Sequence, residues 1–408
     1  MKEANFKETE IGKIPVDWEV PQLGNYITLK NGFAFKSEYF SNEGPIVMTP
    51  GNFHLDGGLK FTPRNTIHFS GSVSENMKFE KGDLLMVMTD LTPSCNLLGK
   101  AGIVDTNEIL LHNQRIGKII FSKEKIATKF LYYFFNSSTF SNRMKSTATG
   151  STVRHTSVPT IKNSFFPLPP LAEQEKIAEV LSDTDLWIES TEALLAKKRQ
   201  IKKGAMQKLL SPKEDWEVRK LGEVVKITRG ASPRPIDNPI WFQEDSKIGW
   251  VRISDVSKSN KFLFRTTQKL SPEGISKSRF VQSNSLIMSI CATLGKPIIT
   301  TFDVCIHDGF VVFSDLKIEK EYLYNYLKFI EDDWSKTGQT GSQMNLNTTI
   351  INGTEINFPE KAKQQEIAEI LSSMDLEIES LENRLQKARQ LKQGMMQDLL
   401  TGKVRLVD

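Results

Sequence analysis

"QEKIAEVLSDTDLWIESTEALLAKKRQIKKGAMQKLL", residues 174–210, returns without a gap as "QQEIAEILSSMDLEIESLENRLQKARQLKQGMMQDLL", residues 364–400. About three positions in five are identical, which marks a duplication and not a shared composition. Neither stretch contains proline, and apolar residues recur in alternating steps of four and three, the seam of a coiled coil. In the second copy that seam is Ile367, Leu371, Met374, Ile378, Leu381, Leu385, Ala388 and Met395; in the first it is Ile177, Leu181, Thr184, Ile188, Thr191, Leu195, Lys198 and Ala205. Val180, Trp187, Leu194 and Ile201 add a second stripe to the first copy, so this helix is expected to bury two faces. Gly204 and Gly394 repeat within helical surroundings at a cost of about 1 kcal/mol each. They point to a close approach by another helix or to the end of the coil.

Charge predicts how the helices pair. Acids crowd the front of each copy (Glu173, Glu175, Glu179, Asp183, Asp185; Glu366, Glu369, Asp375, Glu377), and bases the back (Lys197, Lys198, Arg199, Lys202, Lys203; Arg384, Lys387, Arg389, Lys392). That polarity suits each helix dipole. It makes parallel pairing repulsive and antiparallel pairing attractive, so the helices are expected to form a rod with a globule at each end.

Outward from the helices the repetition continues. "DWEVPQLGNYITLKNG" (17–32) is echoed by "DWEVRKLGEVVKITRG" (215–230), "LLGKAGIV" (97–104) by "TLGKPIIT" (293–300), and "TGSTVRH" (149–155) by "TGSQMNL" (340–346). A period of about 190 residues is too long for a solenoid and means two domain-sized halves. Within the more divergent parts, short β-rich runs stand at 82–88, 116–121, 285–290 and 309–313, bounded by Gly, Pro, Asn and Asp. One helix per half is expected at 128–140 and at 320–334. The fold class is therefore α+β: two similar globular domains separated by two long antiparallel helices, as a pseudo-twofold internal repeat.

Composition bounds the function. The 408 residues carry a formal net charge of +4, which permits a polyanionic partner without requiring one. Cys95, Cys291 and Cys305 are odd in number and far apart, which fits a reducing compartment better than a disulfide framework. No apolar run approaches the roughly 20 residues of a membrane helix, and the opening MKEANFKETE is charged, so a cytoplasmic location is expected. Catalytic signatures are missing: no Asn-Pro-Pro-Tyr/Phe-like motif, no G-x-G-x-x-G, no H-E-x-x-H and no cysteine pair at zinc spacing. His54, His68, His112, His155 and His307 are scattered. Neither a catalytic nor a metal residue is assigned.

The order of elements, from DWEV-x2-LG through a variable β-rich domain, a Thr-Gly-Ser loop and "PLPPLAEQEKIAEVL" to a long helix, all then repeated, resembles the specificity subunit of type I restriction-modification systems over nearly the whole chain. The second half departs by losing prolines at its helix start, "NFPEKAKQQEIA". The resemblance implies target-recognition domains at 1–170 and 211–360, each reading one half of a bipartite, asymmetric double-stranded DNA sequence. It implies spacer helices at 171–210 and within 361–408 that dock two modification (methyltransferase) subunits, with restriction (nuclease/translocase) subunits as further partners. It implies no chemistry and no cofactor in this chain; S-adenosylmethionine, ATP and Mg belong in the partner subunits.

DNA contacts are sought among basic and amide side chains near glycine-marked loops, because arginine grips guanine and Asn or Gln grips adenine in a bidentate way. Lys30 and Arg229 are expected at equivalent places, as are Lys100 and Lys296. Such equivalence favours structure or phosphate contact over base readout, since two domains reading different bases should differ where they read. Arg64, Gln114, Arg115, Arg154, Arg234, Arg252, Gln343 and Asn345 complete the set. Helix pairing or partner docking is assigned to Ile177, Leu181, Trp187, Ile188, Leu195, Ile201, Ile367, Leu371, Met374, Ile378, Leu381 and Leu385. Composition alone also fits a protein- or glycan-binding scaffold, which salt-dependent retention on duplex DNA would separate from the DNA-binding reading.

Overall fold

The computed structural model of the chain describes residues 5–92, 94–337 and 346–406, without the side chains of 335–337. It divides into two compact units, Met1–Thr191 with Arg384–Asp408, and Glu192–Asn383.

In the first unit an antiparallel sheet runs in the spatial order Ile27–Asn31, Ile116–Phe121, Leu84–Val87, Ala101–Ile103. The unbroken apolar run LLMV forms the strand Leu84–Val87, buried along its length as a two-sided core strand must be. A smaller sheet centres on Phe40–Val47, with His68–Phe69 antiparallel on one side and Leu110–Leu111 parallel on the other. The second unit repeats this plan. Its main sheet runs Lys226–Arg229, Phe310–Ser314, Leu286–Ser289, Pro297–Thr300, with Phe262–Leu263 added in parallel. Its smaller sheet places Gly249–Val251 between Gln268–Lys269 (antiparallel) and Val304–Ile306 (parallel).

The Asp-Trp-Glu-Val echo has a shared structural job. Trp18 and Trp216 are buried, and the residues after them pair with the segment that launches the long helix. Glu19 bridges Leu168, and Glu217–Lys220 pairs with Glu355–Phe358. Leu23 and Leu221, from the Leu-Gly of each echo, are buried in the same cores as these tryptophans.

The long helices are Leu171–Leu210 and Lys361–Leu400, 40 residues each. Their starts are set alike by a buried glutamine. Gln174 donates to the Pro169 carbonyl at 2.9 Å and accepts from the Ala127 N–H at 3.0 Å. Gln364 donates to Pro359 at 2.8 Å and accepts from the Glu319 N–H at 2.8 Å. The second start therefore keeps the proline that matters despite its thinner proline content.

Within each unit the helical segments pair antiparallel. In the first, Ile177 and Leu181 share a core with Leu399 and Leu400, and Asp185 meets Lys392 at 2.6 Å. In the second, Ile367 and Leu371 share a core with Leu210. There Lys198 meets Glu377 at 2.7 Å, Arg199 meets Glu382 at 2.5 Å, and Lys202 meets Asp375. The first unit's Asp-to-Lys pair thus recurs in the second with its two helices exchanged. Leu195, Leu381, Leu385 and Ala388 are buried along the seam, while Ile188, Met374 and Ile378 are half-buried.

One expectation is corrected. The helices at 128–140 and 320–334 each break in two. Ser137 is extended and caps Ser138–Ser146 by accepting the Phe140 N–H, and Lys320–Phe329 gives way to Glu331–Thr337. The second stripe of the first helix stays largely uncovered: Trp187 is 39%, Leu194 42% and Ile201 47% exposed. No neighbour comes close to Gly204 or Gly394 among the described residues; a Cβ at either would have nothing within 4 Å.

Candidate nucleic-acid interface

One end of the main sheet in each unit gathers several chain crossings, and strand register defines which residues are equivalent there. Leu29 lies opposite Ile119, itself opposite Leu84; Ile227 lies opposite Phe313, itself opposite Leu286. Gly32 and Gly230 then coincide. A Cβ at Gly32 would stand 2.3 Å from the His112 carbonyl oxygen, and one at Gly230 2.0 Å from that of His307. Each glycine is thus demanded by a backbone crossing the sheet end at contact distance.

His112 and His307, which looked scattered in sequence, both follow the parallel strand of the smaller sheet. A His112 ring nitrogen lies 2.9 Å from the Ile116 carbonyl oxygen, and His307 Nδ1 accepts the Gly309 N–H at 2.9 Å. Burial pushes the pKa of both below the ordinary histidine value, so they are neutral structural posts near pH 7.

The register also corrects the expected match of Lys30 with Arg229. Asn31, and not Lys30, is the counterpart of Arg229, and a shift of one residue turns a side chain to the other face of the sheet. Lys30 is exposed at the end of its strand. Gln114 and Arg115 are exposed in the turn after His112, with the Arg115 N–H held by the Asn113 side chain at 3.0 Å. Arg154 pairs through its backbone with Asp90 at the exit of the neighbouring strand, and its guanidinium donates to the Gly150 carbonyl at 2.7 Å. The structure thus assembles Lys30, Gln114, Arg115 and Arg154 around one sheet end. Arg64 stands exposed in a separate turn closed by Asn65, whose side chain accepts from the Thr62 N–H at 2.7 Å.

In the second unit the same end is richer in arginine. Arg229 Nε donates to the Asp308 carbonyl at 2.8 Å, and Arg234 donates to Asp308 Oδ2 at 3.0 Å. The Ser232 hydroxyl donates to Asp308 Oδ1 at 2.8 Å, and Arg279 Nε reaches the Arg229 carbonyl at 3.4 Å. Burial alone would raise the Asp308 carboxyl, but the Ser232 hydroxyl and the Arg234 guanidinium outweigh it and hold it below the usual carboxylate value. Asp308, Ser232 and Arg279 escaped a search confined to basic and amide residues in glycine-marked loops. Arg252 is half-buried, donates to Gln268 at 2.7 Å and lies over the rings of Phe242 and Trp250.

Lys100 and Lys296 are equivalent, each following a glycine of positive φ, and both are turned inward. Lys100 is 7% exposed and donates to the Ser141 hydroxyl at 3.0 Å and the Asn136 carbonyl at 3.4 Å; Lys296 donates to the Ser259 carbonyl at 2.9 Å. Burial lowers the pKa of both. Their ammonium groups satisfy carbonyls left free near the ends of short helices, a structural duty. Gln343 and Asn345 lie outside the described residues. Among the described residues no helix is long and apolar enough to cross a membrane, and no group of three His, Cys, Asp or Glu could hold a metal ion.

Two kinds of relative bear on this arrangement. The chain is 26% identical to the type I restriction enzyme MjaVIII specificity subunit of Methanocaldococcus jannaschii, over 99% of this chain and 97% of that one. It is 29% identical to the EcoBI specificity subunit of Escherichia coli over 48% of this chain and 38% of that one. In fold it is similar to the crystal structure of a type I restriction-modification S subunit from M. genitalium, with a TM-score of 0.61 at 15% identity, covering 98% of this chain and 97% of that one. A structure described as addressing complex assembly and conformational transition of the type I R-M system gives the same score at 14% identity, over 96% of this chain and 100% of that one. Specificity subunits are the non-catalytic members of such enzymes, and they act with other subunits and DNA. The type I restriction modification DNA specificity domain matches residues 15–199 and again 213–390, and this chain, with two copies of it, belongs to that family of specificity subunits.

Proposed function

We propose that the two units read unlike half-sites of one duplex, the first through Lys30, Gln114, Arg115 and Arg154, the second through Arg229, Arg234 and Arg279. The observation that carries this is a shared backbone plan whose side chains diverge at one sheet end. Asn31 is replaced by Arg229 and Asn113 by Asp308, while the supporting glycine and histidine stay the same. A common frame with different donors and acceptors is what reading two different base sequences requires. On this reading the recognition domains are 1–170 and 211–360, with spacer helices at 171–210 and within 361–408. The test replaces residues 211–360 with the corresponding segment of another family member and maps methylated sites in host DNA. One half-site changes and the other stays; a change in both, or in neither, removes the reading.

The helices supply the docking surface. Each unit exposes the same apolar group: Leu186 and Leu391 beside Gly394 in the first, Leu376 and Ile201 beside Gly204 in the second. These leucines and isoleucine are between 47% and 66% exposed. Mid-helix glycines without a neighbour fit a partner backbone that closes on them, and an equivalent patch in each unit fits two copies of one partner. The occupant is a methyltransferase subunit, with restriction subunits joining the assembly. S-adenosylmethionine, ATP and Mg reside in those partners, and the complex works in the cytoplasm.

A further inference from the structure

We propose that Asp308 is a positioning residue that sets the specificity of the second unit, by holding Arg229 and Arg234 in one fixed arrangement at its DNA-reading sheet end. This rests on the DNA-reading role above. A carboxylate on a surface that meets phosphate is out of place unless it has another task, because it repels the polyanion it faces. The geometry supplies that task. Each oxygen of the Asp308 carboxylate has a protein donor: Oδ1 the Ser232 hydroxyl at 2.8 Å, Oδ2 the Arg234 guanidinium at 3.0 Å. Its carbonyl takes Arg229 Nε at 2.8 Å.

One residue therefore ties two strand ends and two cationic side chains together. Arg234, with a side chain 70% exposed, would otherwise sample many rotamers; paired with Asp308 it presents its remaining N–H groups outward. The Asp308 backbone is itself fixed, since it follows the half-buried His307 post and the Ser232 hydroxyl also accepts its N–H at 3.3 Å. In the first unit the counterpart is the uncharged Asn113, whose side chain accepts the Arg115 backbone N–H, so the device belongs to one half-site.

Two readings of Asp308 give opposite signs. If it were an ordinary surface acid, Asp308→Ala would remove a repulsive charge, strengthen binding to all DNA and leave the methylated motif unchanged. If its carboxylate positions Arg234, the same variant frees that side chain, while the backbone carbonyl still holds Arg229, and discrimination at the second unit's half-site falls by roughly tenfold for a mispositioned bidentate contact. The experiment maps methylated motifs in host DNA with the complete complex carrying Asp308→Ala, Arg234→Ala or both, with Asp308→Asn as the isosteric control that keeps the Ser232 bond. The expected result is relaxation at one half-site only, a double variant no worse than Arg234→Ala alone, and partial retention in Asp308→Asn. The unaltered half-site reports that the chain is folded. An unchanged motif in Asp308→Ala, or additive losses in the double variant, would overturn the proposal. Absence of any two-part motif for the unaltered complex would instead overturn the DNA-reading role on which it rests.

Discussion

Arg405 closes the first unit around a buried acid, Glu173. Its guanidinium donates to Glu173 at 2.7 and 2.8 Å and to Asp17 at 2.9 and 2.8 Å, while the Trp18 indole N–H donates to the same Glu173 at 2.9 Å. Glu173 is 2% exposed, so these donors take the place of water around its carboxylate. Arg405→Ala leaves the buried Glu173 carboxylate without its guanidinium and held by the Trp18 indole N–H, an expected cost of about 3 kcal/mol. Calorimetry should show the first unit's melting temperature lower by roughly 6 to 12 °C. Lysine cannot replace the fork, because one ammonium cannot serve two carboxylates in bidentate fashion. The hydrogen bond from Arg405 also holds the Asp17 carboxyl below its ordinary value of 3.8. A depressed folded-state pKa means stability that is present above the unfolded value and lost as pH falls through the folded one. The gap between wild type and Arg405→Ala is therefore expected to persist at neutral pH and to narrow in strong acid.

At the scale of elements, opposite charge fixes how the helical segments pair. Lys202 and Asp375 are each mostly shielded, with side chains 15% and 28% exposed, so their attraction is less damped than that of a surface pair. Lys202→Asp puts two carboxylates together and is expected to cost about 1 to 2 kcal/mol in chemical denaturation, recovered largely when Asp375→Lys is added. Full additivity of the two losses would show that the pair plays no part in orienting the segments. This pairing was legible because acids and bases segregate along each helix, and the strand Ile116–Phe121 was legible because apolar residues dominate a run bounded by loop residues. The parallel pairing of Phe40–Val47 with Leu110–Leu111 was not, since it joins segments more than sixty residues apart and leaves no local period. The same distance hid the sheet-end site. His112 and His307 look unrelated until register makes them equivalent, and Lys100 looks like a DNA ligand until Asn136 and Ser141 are folded onto it. Asp308 was passed over because an acid carries no sign of DNA binding until its arginine partners are seen.

For the whole molecule, internal duplication makes a prediction about stoichiometry. Ile201 in one unit and Leu391 in the other are equivalent exposed residues of the proposed docking patches, so each should hold one partner subunit. Ile201→Glu or Leu391→Glu buries a charge at its own patch, an expected loss of at least 2 kcal/mol in affinity there. Native mass spectrometry of the purified complex should then count one methyltransferase subunit in place of two, and none when both substitutions are present. Two retained copies in the double variant would move the docking surface elsewhere. The construction of the first unit also imposes an order on synthesis. Leu399 and Leu400 fill the core around Trp18, and Arg405 locks Asp17, yet the ribosome makes every residue of the second unit before it reaches them. The domain translated first must wait, incomplete, until the whole second unit has been made, while the later one can mature ahead of it.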